Sequence, residues 1–192
     1  MPENNAYSSS GGDDFKLVSQ ALGGDERAFR ELMGRYRQKA LGICYKMLGN
    51  RVEAEEAAQD AFVKVYFHLK DFDPARDFAV WLSAIAVNEC RDRLRRRSRE
   101  RRTFRELGEA DGINRETNHD SGRVTQEKLN AVEEALDKLP EKLREVIILK
   151  AYGEHTYEDI ARILRIRLGT VMSRLFRARQ SLTEIMKRGE ED

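Results

Sequence analysis

Apolar residues in this chain recur at steps of three and four, the spacing that lines one side of an α-helix. After a polar start, Phe15, Val18 and Leu22 open such a pattern, which stops at Gly23-Gly24. Asp25 then stands where a cap is needed for a long segment carried by Phe29, Leu32, Tyr36, Leu41, Cys44 and Leu48 and closed by Gly49-Asn50. A third segment, from about Glu53 to Leu69, has its apolar stripe on Ala54, Ala58, Ala61, Phe62, Val65 and Leu69. Pro74 fixes a bend in the stretch DFDPARD. From Phe78 to about Arg102 the chain reads as one helix that begins apolar, at Phe78, Leu82, Ile85 and Ala86, and ends as an arginine run. Val132, Leu136 and Leu139 predict a helix ending at Pro140, and Leu143, Val146, Ile147 and Leu149 another ending near Gly153. No strand-length alternation bounded by turns breaks the series, so the pattern predicts an all-α fold.

The sharpest local pattern is the last, TYEDIARILRIRLGTVMSRLFRARQSL from Thr156 to Leu182. Thr156 and Asp159 have the spacing of a near capping box, followed by Ile160, Ala161, Ile163 and Leu164 as the buried side of a short helix. After a break at Arg165 to Arg167, Val171, Leu175, Ala178 and Leu182 fall on one stripe of a second helix. The rest of that helix carries Thr170, Ser173, Arg174, Arg177, Arg179 and Gln180, short hydrogen-bonding groups and cations suited to base edges and phosphates. This is a helix-turn-helix with a DNA-reading second helix.

Only the interval from Glu106 to Val124 departs from helical patterning, with Gly108, Gly112, Asn114, Asn118 and Gly122 and few apolar residues. It predicts a flexible acidic linker joining two small helical domains. The expected boundaries are a disordered tail at 1–12, a first domain at 13–103, a linker at 104–124 and a helix-turn-helix domain at 125–188.

Charge adds what the formal net of +1 over 192 residues conceals. Arg91 to Arg105 contains nine arginines against Asp92 and Glu100, and Arg162 to Arg188 has eight basic residues against Glu184. Two separate cationic zones predict two contacts with a polyanion. No apolar run approaches the roughly 18 residues of a membrane span, and the polar, acidic start lacks the form of a secretory signal. A cytoplasmic location without membrane insertion is the expectation. Cys44 and Cys90 are neither a CxxC pair nor at metal spacing from His68, His119 or His155, so no metal and no cofactor is expected.

Three further constellations carry candidate chemistry. The third helix keeps Glu55, Glu56, Gln59, Asp60, Val63, Tyr66 and Phe67 off its apolar stripe, a face suited either to a basic partner helix or simply to water. Asn88, Arg91 and Arg95 share a polar face of the fourth, where Asn reads adenine and arginines hold phosphates. Phe72 and Arg76, on the turn before it, have the chemistry to stack on and clamp an unstacked base, although Phe72 fits equally well beneath its own loop. No phosphate loop, HExxH, GxSxG or GxGxxG is present, so a non-enzymatic protein is expected.

The motifs AEEAAQDAFVKVY, FAVWLSAIAVNECRDRL, LPEKLREVIILK and TYEDIARILRIRLGTVMSRLFRAR, in this order around an acidic linker, resemble the extracytoplasmic-function, group 4, sigma factors of the sigma-70 family. The resemblance covers about Asp14 to Lys187. It implies a transcription initiation factor that brings bacterial core RNA polymerase to promoter DNA and promotes melting, commonly held silent by an anti-sigma factor. By position, it implies that Glu55, Glu56, Gln59, Asp60 and Val63 meet the β′ clamp helices and that the C-terminal domain docks on the β flap. Phe72, Arg76, Asn88, Arg91 and Arg95 correspond to the −10 contact, with Arg93 also on the DNA backbone. Gly169, Thr170, Met172, Ser173, Arg174, Phe176 and Arg177 correspond to the −35 contact. Met172 stands where the family usually has Lys or Arg, Arg167 where Pro is frequent, and Glu154 and His155 where Gly and an apolar residue are usual. The alternative left by the residues themselves is a DNA-binding regulator independent of polymerase.

Overall fold

The computed structural model describes residues 10–73, 76–106 and 132–191. Among them the secondary structure is helical: α1 (Ser10–Leu22), α2 (Glu26–Leu48), α3 (Arg51–His68), a 3-10 turn (Leu69–Asp71), α4 (Phe78–Glu106), α5 (132–138), α6 (Glu141–Ala151), α7 (Tyr157–Leu164) and α8 (Leu168–Glu191). The all-α expectation holds. The expected linker lies mostly outside the described residues, although α4 runs to Glu106, and α1 begins within the stretch expected to be a disordered tail.

Local chemistry explains the boundaries. Asp25 accepts from the backbone N–H groups of Arg27 and Ala28, and Gly49 ends α2 in the left-handed region with φ 68°, donating to the Tyr45 carbonyl. Asn50 caps α3 by accepting from Glu53 N at 2.9 Å. Thr156 and Asp159 form a complete capping box, each side chain accepting from the other's backbone N–H at 3.1 Å. Arg165 then ends α7 with φ 54°, a left-handed conformation adopted here by a non-glycine residue.

Helices α1 to α4 enclose one core, with Leu17, Val18, Leu32, Tyr36, Val65, Leu69, Phe72, Phe78 and Leu82 packed together. Here the structure corrects the stripe of α1: Phe15 and Leu22 are exposed, and Leu17 takes the inward place beside Val18. Asp14 is buried as well, where it accepts from Arg35 at 2.5 Å and from the Tyr36 hydroxyl. Burial, then that carboxylate, pushes the Tyr36 phenol up. Alanines at 54, 57, 58 and 61 let α3 approach α2 and α4 closely.

A second core does not stand apart from the first. Ile43, Met47 and Leu48 of α2 and Val87 and Cys90 of α4 are continuous with Val146, Ile148 and Leu149 of α6, Ile160 and Ile163 of α7, and Val171 and Leu175 of α8. The seam carries polar contacts too. Lys39 pairs with Glu154 at 3.4 Å, and Lys46 pairs with Glu133 and lies over the Tyr152 ring. His155, which precedes α7, is 4% exposed and hydrogen-bonded to Ser83 of α4, Nε2 to Oγ 2.8 Å. A Cβ at Gly153 would stand 2.7 Å from the His155 ring, so the turn after α6 admits no side chain there.

Cys44 and Cys90 are free, fully buried thiols of α2 and α4, and the neighbouring Cys44 thiol together with burial pushes the Cys90 thiol up. Both thiols are closed off from water, and the Cys90 thiolate is disfavoured besides, so a thiol-specific reagent is expected to leave both unmodified in the native chain and to titrate two groups in denaturant. Burial, and secondly Lys39, lowers the His155 pKa from 6.5 to about 4. The folded protein therefore holds the imidazole neutral, while the unfolded chain protonates it near 6.5. The stability this confers is complete above pH 7 and is lost as pH falls from 6.5 to 4, by up to roughly 3 kcal/mol. Urea unfolding across that window should show a shallower pH slope for His155→Gln than for the parent.

Candidate nucleic-acid and partner interfaces

Three surfaces carry the residues singled out by sequence. On α3, Glu55, Glu56, Gln59, Asp60 and Val63 are all exposed, Val63 at 47%. They stand opposite the alanine stripe, so packing of α3 leaves this face free by construction. Its acidity is partly occupied from within the chain. Arg93 of α4 donates to Glu56 at 2.9 Å and to Asp60 at 2.5 Å, while Glu55 pairs with Arg51 one turn away. Burial alone would lower the Arg93 pKa, but the two carboxylates together raise it. Arg93, expected on the DNA backbone, is thus tied to α3. The face continues past Val63 to Tyr66 and Phe67, 61% and 66% exposed, with Tyr66 packed edge-on against Phe29 at 5.2 Å.

The second surface is the start of α4 and the turn before it. Asn88 is exposed on α4, and Arg95 about two turns further on is exposed and pairs with neighbouring Asp92, 3.2 Å away. Arg76 is exposed and 3.5 Å from Asp73. Phe72 departs from the expectation of an outward, base-stacking ring. It is buried, stacked on Trp81 at 4.7 Å and set edge-on to Phe78 at 5.6 Å. An aromatic that can complete a ring cluster gains about 2 kcal/mol by leaving water, which the exposed turn does not offer. Arg91 departs as well: its Nε and Nη2 donate to the two carboxylate oxygens of Glu145 on α6, at 2.5 and 2.8 Å. Glu145 is 3% exposed. The hydrogen bonds from Arg91, outweighing burial, raise the guanidinium pKa further. The polar face of α4 is therefore split, with Asn88, Arg95 and Arg76 facing water and Arg91 engaged across the seam.

The third surface is α8. Val171, Leu175 and Ala178 are buried, as the sequence stripe requires, and hold the helix against α6 and α7. Gly169, Met172, Ser173, Phe176 and Arg177 are exposed, and Thr170 and Arg174 are half-buried beside them. All seven expected positions thus lie on the outward side of one helix. Among the described residues, Arg165, Arg167, Arg174, Arg177 and Arg179 form no ion pair. Ser173 Oγ donates back to the Thr170 carbonyl at 3.1 Å.

Sequence reasoning missed the seam itself. Glu145 and His155 sit in stretches whose periodicity assigned them no role, and Ser83 reads as an ordinary polar position on an apolar helix. One signal was available: a glutamate in an otherwise apolar-facing register of α6, and a histidine just before α7 where the resemblance leads one to expect an apolar residue.

Comparison with known proteins agrees with this arrangement. Residues 32–100 match the family model for Sigma-70 region 2 and residues 129–182 that for Sigma-70, region 4. The ECF RNA polymerase sigma factor SigW of Bacillus subtilis is 34% identical over 179 residues, spanning 90% of this chain and 96% of that relative. RNA polymerase sigma-H factor of Pseudomonas aeruginosa is 32% identical over 181 residues, 91% and 94% of the two chains. Among solved structures, CnrH in complex with the cytosolic domain of CnrY superposes with a TM-score of 0.70 at 27% identity, covering 92% of this chain and 98% of that one. The sigma factor RpoE of Bartonella quintana, solved with the anti-sigma factor NepR, has a TM-score of 0.70 at 26% identity, covering 83% and 96%. A family of sigma factors is not one of enzymes in the usual sense. With both regions matched, in order and over nearly the whole length of its relatives, the chain belongs to the extracytoplasmic-function sigma factors of the sigma-70 family.

Proposed function

We propose that this sigma factor engages core RNA polymerase through the outward face of α3, against the β′ clamp helices, and through α5 to α8 on the β flap. Asn88, Arg76 and Arg95 contact the −10 region, and the outward side of α8 contacts the −35 region. The observation that carries this reading is the exposed face of Glu55, Glu56, Gln59, Asp60 and Val63, which a regulator acting on DNA alone does not need. Phe72 serves from inside, through its stack on Trp81, to set the turn that presents Arg76. Among the described residues no helix is long and apolar enough to cross a membrane, and the site of action of such a factor is the cytoplasm. Control by an anti-sigma factor is supported by RpoE of Bartonella quintana, solved with the anti-sigma factor NepR, and by CnrH, solved with the cytosolic domain of CnrY.

The docked arrangement is the resting state of the free protein. While Glu145 holds Arg91, the helix-turn-helix sits against α4, and the two DNA contacts cannot reach separate promoter elements. Polymerase binding has to draw α6 and α7 away from α4, after which Arg91 joins Asn88 and Arg95 at the DNA. Isolated DNA is accordingly a poor ligand, and residues 132–191 alone should bind it more tightly and with a steeper salt dependence than the full chain.

Run-off transcription with core enzyme should depend on this protein, and independence would refute the sigma assignment. Val63→Glu should weaken copurification with core polymerase by at least tenfold, since it buries a charge in the contact, while leaving the circular dichroism melt unchanged. Arg91→Ala should lower the unfolding free energy of the free chain by on the order of 3 kcal/mol, because it strands the buried Glu145 carboxylate. An Arg91→Ala protein as stable as the parent would mean that the seam is not closed in solution.

A further inference from the structure

Leu168, Met172 and Phe176 are 40%, 54% and 62% exposed and follow one another at steps of four along α8, so their side chains form a continuous apolar row on the outer side of the helix. The buried stripe of Val171, Leu175 and Ala178 already supplies the packing of α8, which leaves this row without an intramolecular purpose. Its surroundings indicate what it meets. Arg179 borders the row on one side and Arg177 on the other, and from Leu168 to Thr183 the helix has no acidic residue. The arginines of α4 at 91, 93, 95, 96 and 97 each have a carboxylate within 4.0 Å. Those at 165, 167, 174, 177 and 179, among the described residues, have none. Unneutralised guanidiniums on both flanks fit phosphates, and an apolar row between two lines of phosphates lies over the floor of a major groove.

On that floor the only apolar group is the C5-methyl of thymine. We infer that Met172 and Phe176, with Leu168 at the row's edge, read thymine methyl groups, so that the upstream promoter contact of this protein selects A·T pairs at two positions. Four helical residues advance about 6 Å, close to two base-pair steps of 3.4 Å. The two selected pairs are therefore separated by one base pair. A cation at position 172 would instead favour the guanine O6 and N7 edge, and the unbranched, polarisable thioether removes that option while conforming to a methyl. Ser173 cannot substitute as a donor in its present rotamer, because its hydroxyl is turned back to the Thr170 carbonyl.

The inference rests on the assignment of α8 to upstream DNA, and the test separates the two. Holoenzyme assembled from the full chain and core polymerase is used to select promoter fragments randomised across the upstream element. Single thymines in the selected sequence are then replaced by uracil, which keeps every hydrogen-bonding group and lacks only the methyl. Binding should weaken severalfold at two positions. Met172→Ala should abolish the uracil effect at one and Phe176→Ala at the other, and Met172→Arg should change the preference at the first from A·T to G·C. Both alanine substitutions fall on exposed positions, and unchanged thermal melts check that the fold survives. Selection of an upstream sequence that binds equally with thymine or uracil overturns the methyl reading alone. Failure to select any upstream sequence overturns the α8 assignment with it. If Met172→Ala leaves the uracil effect intact but weakens association with polymerase, the row docks protein and the inference is wrong.

Discussion

Between α4 and α6 a guanidinium and a carboxylate are taken out of water together. Removing two charges from solvent is worthwhile only when geometry is good and each finds its full complement of partners, and the paired donation from Arg91 to Glu145 meets that condition. Around it lies an apolar cluster formed from six helices, with His155 inserted towards Ser83. What the surfaces of this protein can reach depends on that contact. While it is closed, α8 and the start of α4 belong to one rigid unit. Once it is open, the two halves are limited only by the chain between them.

The arginines divide according to the same contact. Those of α4 are largely neutralised by carboxylates of α3, of α6 or of their own helix, whereas those of α8 are not. A count of charges along the chain treats the two cationic zones as equivalent, but their availability differs. Among the described residues, the arginines of the helix-turn-helix at 165, 167, 174, 177 and 179 have no ion partner, whereas those of α4 at 91, 93, 95, 96 and 97 are held by internal ion pairs.

Much of this was legible from the sequence, because helices of this kind announce themselves through spacing. The capping residues Asp25 and Thr156, the stop at Gly49 and the buried stripe of α8 all follow from rules that act within a few residues. The outward faces of α3 and α8 were legible for the same reason, being what remains when the stripe is removed. Phe72 and Arg91 were not, since their environments are made by residues distant in the chain. An aromatic on a turn can face either way, and Trp81 and Phe78 decide it. An arginine in a basic run looks free until Glu145, 54 positions on, is brought to it. Phe15 and Leu17 show a milder limit, in which the period was right and its phase was off by a fraction of a turn.

The turn between α6 and α7 binds positions 83 and 155 into one unit of inheritance. Gly153 has no room for a side chain because the His155 ring and the Leu149 carbonyl each stand 2.7 Å from where one would begin, and the ring is there because Ser83, on another helix, receives it. Replacement of the histidine by a small residue would leave the Leu149 carbonyl still closing position 153, and would leave the serine hydroxyl in an apolar seam. Substitutions at 83 and 155 should accordingly be found together or not at all among descendants of this gene, with glycine kept at 153, and a lineage in which the pair changed together would have rebuilt how its two halves meet.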